Sequence, residues 1–193
     1  MNETSTADAI LDFWFGAAGS VEYGLSHDMW FQKSVSFDSE LRARFGGAVD
    51  AAVSGAFDNW RGPLPALARV LLLDQFTRNC YRGTARAFSG DALAQAVARV
   101  AVDGGADTTL IPVQRWFLYM PLVHAESLAA QQRSVELFTR LAEQTGLEEP
   151  LPWAKRHADV VRRFGRFPHR NAVLDRASTT EEAQFLTTQG SRF

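Results

Sequence analysis

Leu64-Pro65-Ala66-Leu67-Ala68-Arg69-Val70-Leu71-Leu72-Leu73-Asp74-Gln75-Phe76-Thr77-Arg78-Asn79 reads as a helix that is apolar on almost every side. Leu67, Val70 to Leu73 and Phe76 leave no broad polar face, and a helix apolar all round belongs at the centre of a protein. Pro65 suits its first turn, after the break at Gly62 and Pro63. Polar residues on such a helix need partners. Asp74 and Arg78 stand four apart, as do Gln75 and Asn79, which predicts two pairs side by side on one face.

Helical spacing recurs on both sides, and no strand-like alternation lasts more than a few residues. Ser5 and Asp8 begin a first helix, with Ile10, Leu11, Phe13, Trp14 and Phe15 before Gly16 ends it. Met29, Trp30 and Phe31 form an expected buried anchor in the glycine-interrupted stretch that follows. Phe37, Leu41, Phe45, Val49, Ala52 and Val53 recur at three or four, so a long helix runs to about Gly55. Gly46 and Gly47 inside it cost roughly 1 kcal/mol each against Ala, and point to a close neighbour or a kink. Further helices are expected at Asp91 to Val102 and at Val113 to Met120, the latter interrupted by Pro121. One from about Glu126 to Gln144 carries Leu128, Val135, Phe138 and Leu141 inward. Another, Trp153 to Phe164, has Trp153, His157, Val160, Val161 and Phe164 as its stripe. A short helix from Pro168 to Leu174 and a last one, capped by Ser178 with Glu181, complete an all-α chain. The expectation is one helical domain, 1–193, of about eight or nine helices.

Composition agrees with a soluble globular protein: 46% hydrophobic and 22% charged residues over 193 positions, enough for one well-buried core. No apolar run approaches the roughly 20 residues that cross a bilayer, and the acidic start has no secretory pattern, so the expected compartment is the cytoplasm. A lone Cys80 rules out an internal disulfide framework. The net charge of −2 argues against a nucleic-acid binder. Its distribution is uneven. Residues 1–60 carry nine acids against three bases, whereas 155–176 carry seven bases against two acids.

Those late bases surround Phe164-Gly165-Arg166-Phe167-Pro168-His169-Arg170-Asn171, where two aromatics anchor a turn and Gly165 and Pro168 fix its backbone. The mixture predicts a rigid turn that presents polar side chains inward, facing Asp74, Gln75, Arg78 and Asn79. This motif, with Ile10 to Gly16, Leu72 to Asn79, Tyr81 to Thr84, Pro121-Leu122 with His124 and Glu126, and Leu174 with Arg176, resembles a bacterial family of unknown function in the tetratricopeptide-like helical superfamily. The resemblance covers nearly the whole chain. It implies a tetratricopeptide-like α-α superhelix, beside the compact helical bundle that pattern alone supports, and supplies no activity. Two positions depart from the family pattern: Ala125 in place of Ser, and Asp175 in place of Gly. No mechanism can use that serine as a nucleophile here.

Asp74, Arg78, Asn79, Arg82, Arg166, His169, Arg170 and Asn171 are the candidate ligand-binding set. Guanidinium forks at a helix N-terminus suit a phosphate or carboxylate. The competing reading is that these arginines only pair with Asp74, Glu126 or other acids, because buried charges must be paired whatever their role. His124, Glu126 and His169 are the candidate acid–base residues, His being the side chain that titrates near neutrality. No metal is expected, since His124 and Glu126 are two apart and no His-Glu-x-x-His spacing occurs. No cofactor is expected either, for want of a phosphate loop or dinucleotide fingerprint. The five tryptophans read as core. Two functions are thus open: binding of an anionic small molecule or acidic peptide in an Arg/His-lined pocket, or a hydrolase- or transferase-type enzyme using His124 or His169 on an anionic substrate.

Overall fold

In a computed structural model, which describes residues 3–191, the chain forms eight helices and, among the described residues, no strand. They are α1 (Glu3–Phe15), α2 (Val35–Val53), α3 (Pro63–Val70, Leu71–Phe76 and Thr77–Cys80 in one continuous run), α4 (Asp91–Asp103), α5 (Pro112–Val123), α6 (Leu128–Thr145), α7 (Pro150–Phe164) and α8 (Thr180–Phe185). Short 3₁₀ turns at Ala85–Phe88 and Pro168–Arg170 connect α3 to α4 and follow α7.

The central position of α3 follows from its sequence. Leu67, Val70, Leu71, Leu72, Leu73 and Phe76 are wholly buried, and α1, α2, α4 and α5 all pack against it. Phe76 meets the rings of Phe13, Trp14 and Phe45 at 6.1, 5.4 and 5.3 Å, so truncating it would cost about 3–5 kcal/mol. The middle of α3, Leu71–Phe76, is a π turn. This widening carries Asp74 and Gln75, and such bulges concentrate at functional positions. A second, small core of Val160, Val161 and Phe167, flanked by Phe164 and Phe185, lies under the late turn and α8.

Several expectations are corrected. Trp30 is buried, but Met29 and Phe31 are exposed. The stripe of α7 is Ala154, His157, Ala158, Val160 and Val161, which leaves Trp153 exposed, with Arg156 above its ring at 5.5 Å. Leu128, in the first turn of α6, is exposed as well. Pro121 lies inside α5 because it is buried in the last turn, where only one ladder bond is lost. Gly46 and Gly47 have ordinary space around them and α2 runs through both, so neither marks a close contact. The last helix is capped one residue later than expected, by Thr179 with Glu182. After Arg170 the chain turns rather than continuing a helix to Leu174. The backbone is already helical at Glu3, ahead of Ser5, whose side chain lies outside the described residues.

Candidate functional site

Asp74 is wholly buried in the π turn of α3, where the end of α5 meets it. α5 ends at His124, and the imidazole Nδ1 lies 2.9 Å from both Asp74 oxygens. Gln75 donates to the same carboxylate at 2.6 Å, and Arg78 Nη1 stands 3.2 Å from its Oδ1. Arg78 also donates to the Asp74 carbonyl at 2.6 Å, one turn back along α3.

Asp91, the first residue of α4, extends the cluster. Arg78 Nη2 donates to its Oδ2 at 3.2 Å, and Arg170 Nη1, from the late turn, donates to the same atom at 3.3 Å. Gly90 makes this approach feasible. A Cβ there would run into the Leu73 carbonyl of the π turn, whose carbon would lie 2.9 Å away. The guanidinium of Arg170 lies over two rings, 4.8 Å from the centroid of Phe88 and 4.6 Å from that of Phe167. The late turn and the third helix therefore meet, with Asp91 as the residue between them.

Burial and charge decide the protonation states. Burial raises the Asp74 carboxyl, but Arg78 and then His124 and Gln75 outweigh it, so Asp74 stays well below the usual carboxylate range. Burial lowers His124, and Arg78 and Arg170 add to this against the pull of Asp74, so the ring is neutral. An ionised Asp74 must receive the Nδ1 proton, which leaves Nε2 of the neutral ring as the basic nitrogen. His157 donates Nδ1–H to the Trp153 carbonyl at 2.8 Å, and burial with His124 nearby pushes it to about 3. His169, its ring centroid 5.7 Å from that of Phe167, is pushed to about 4 by burial and then by Arg170. Arg170 itself falls to about 10 through burial and the charge of Arg78.

The remaining candidates lie elsewhere. Asn79 and Arg82 both reach Asp38 of α2, at 2.7 Å for the amide and at 2.7 and 2.8 Å for the guanidinium. Gln75 and Asn79 thus have separate partners instead of pairing. Arg166 forks onto Glu182 at 2.6 and 2.8 Å, and Asn171 donates to Glu182 at 3.3 Å and to Ser178 at 3.1 Å, so both tie α8 to the turn. Glu126 accepts the Phe167 amide at 2.8 Å and is forked by Arg176 at 2.7 and 2.9 Å. That geometry holds the turn in place. Asp91, Phe88 and Phe167 were not singled out as site residues, although an acid directly after Gly90 at a helix start was a readable signal for Asp91.

Burial raises the Cys80 thiol to about 11, which removes it as a nucleophile. Among the described residues no three His, Cys, Asp or Glu side chains are arranged to hold a metal. Two surface cavities, of about 330 and 500 Å³, are lined by other residues: one by Arg99, Asp103, Ser127 and Arg133 among others, the other by Tyr23, Leu25, Ile111 and Leu147 among others. No helix among the described residues is long and apolar enough to cross a membrane.

A protein of unknown function from Agrobacterium tumefaciens, ATU0120, has a similar solved structure, with a TM-score of 0.84 and 42% identity over 96% of this chain and 99% of that one. Among curated proteins no sequence matches. The family model for bacterial proteins of unknown function DUF924 matches residues 10–190, and by that extent the chain belongs to this family.

Proposed function

We propose that the chain is a binding protein whose Arg78 and Arg170 hold an anionic small ligand or the acidic terminus of a peptide. The observation behind this reading is the setting of Arg170: a guanidinium only 6% exposed, over the rings of Phe88 and Phe167, whose Nε has no hydrogen-bond acceptor. A buried donor without an acceptor costs about 1–3 kcal/mol, and an incoming anion would satisfy it. Arg78, partly open to solvent, adds a second fork beside it. The reading fits a protein of the cytoplasm. A thermal-shift screen of phosphates, nucleotides and carboxylates tests it: hits are expected with the wild type and lost in Arg170→Ala. A screen with no hits, or with equal hits in both proteins, removes the proposal.

One observation favours the enzyme reading as a second possibility. The Asp74–His124 contact gives the imidazole a fixed tautomer with a basic Nε2, as a general base on an anionic substrate requires. Release of nitrophenol from its phosphate and acetate esters, in wild type against His124→Gln, separates the two: equal rates in both proteins leave only binding. His169, pushed to about 4 and so a feeble base, is the weaker candidate for that role.

A further inference from the structure

The chain's arginine forks differ in quality. Arg166 on Glu182, Arg176 on Glu126 and Arg82 on Asp38 each make two contacts between 2.6 and 2.9 Å, the range of strong charge-assisted pairs. Asp91 is held otherwise. Its hydrogen bonds from Arg78 and Arg170 measure 3.2 and 3.3 Å and converge on one oxygen. The other oxygen, although 3.0 Å from Arg78 Nη1, has no aligned donor. Arg170 Nε likewise has no acceptor. A buried and a partly exposed guanidinium thus share one poorly seated carboxylate, with an unused donor on one side and an unused acceptor on the other.

We infer that the Arg78–Arg170 pair is a receptor for a monocarboxylate and that Asp91 occupies it as an internal stand-in, which the ligand's carboxylate displaces. The inference rests on the anion-binding reading above and narrows it to one chemical class. Charge selects that class. Asp74 and Asp91 balance Arg78 and Arg170, and His124 is neutral, so the cluster has no net charge. Exchanging Asp91 for a monocarboxylate preserves this balance, whereas a phosphate dianion would leave an uncompensated negative charge in a buried site. The planar Arg170 fork, with the rings of Phe88 and Phe167 near it, also suits a planar carboxylate, which can take Nε and Nη together. Asp91 has somewhere to go. Its side chain is 15% exposed and stands in the first turn of α4, where a carboxylate turned to solvent still meets the positive end of the helix.

The test is chemical rescue of Asp91→Ala, which leaves room for a carboxylate beside the two guanidiniums. Sodium formate and acetate at constant ionic strength should raise its melting temperature saturably, and more than inorganic phosphate does. The wild type, with Asp91 competing, should need roughly tenfold more of either. Phosphate rescuing as well as acetate would overturn the carboxylate assignment and leave the anion site standing. If neither anion acts on the variant or the wild type, the anion site itself is refuted. Should Asp91→Ala not fold, the Arg170 Nε–H proton resonance of the wild type gives the same answer. It should shift saturably with acetate and not with chloride, and identical responses to both salts would overturn the inference.

Discussion

His124 Nδ1 lies 2.9 Å from each oxygen of Asp74, at the level where α3 widens into its π turn. The carboxylate is wholly buried and Arg78, beside it, is 19% exposed. Asp74→Asn would leave that arginine short of its interior counter-charge and deprive Nδ1–H of its ionised acceptor. Breaking one partner from a buried ion pair costs 3–5 kcal/mol, and the partial exposure of Arg78 places this case near 3 kcal/mol. Urea unfolding at pH 7 measures it. A loss below about 1 kcal/mol would mean that Asp74 is not the ionised centre of the cluster.

Gly90→Ala should cost about 2–3 kcal/mol, because the added methyl meets the backbone of Leu73 and not a side chain that can swing away. The same shift would carry Asp91 off its two arginines, since the residues are adjacent in the chain. The variant should therefore lose stability and also change its response to acetate in the thermal-shift assay. A stability equal to wild type would show that the loop before α4 is free to move.

Glu126→Ala should cost about 2 kcal/mol, because it removes the acceptor of the Phe167 amide and the carboxylate forked by Arg176. Hydrogen exchange gives the sharper reading. The Phe167 amide should exchange much faster in the variant, while amides in the middle of α3 should slow or quicken only with global stability. An unchanged Phe167 rate would return Glu126 to the list of residues without a structural task.

How far the sequence reached can be judged from these same residues. α3 was legible as central because its apolar residues leave no solvent face, and Arg170 was legible as an interior residue because aromatics, glycine and proline bracket it. The π turn was not, since a six-residue widening leaves the apolar pattern almost unchanged. Nor were the partners of the arginines. Arg166 and Arg170 are four apart, yet one reaches Glu182 in α8 and the other Asp91 in α4. Which acid meets which guanidinium depends on how the helices pack, and spacing along the chain contains no such information. Trp153 was misjudged for a related reason: the contact of α7 with α6 keeps His157, Val160 and Val161 inside as expected but takes Ala154 in place of Trp153.

Acid sensitivity provides a last prediction. His157 and His169 titrate near 3 and 4 in the folded protein, chiefly through burial, against about 6.5 for a free histidine. Above about pH 7.5 both are neutral folded or unfolded, and neither makes stability vary with pH. Between about 6 and 4 the unfolded chain takes up protons at His157 and His169 that the native chain refuses, so stability falls as pH falls, by about 1.4 kcal/mol per unit for each group, and His124, also lowered by burial, acts in the same direction. The two together give roughly 2–3 kcal/mol per unit, before the carboxylates begin to matter near pH 4. His157→Gln keeps an N–H donor for the Trp153 carbonyl and cannot be protonated, so it should cut that slope by about a third to a half. Urea midpoints from pH 7.5 to 4.5 for both proteins measure the difference. Parallel curves would mean that His157 accepts its proton as readily inside the fold as outside it.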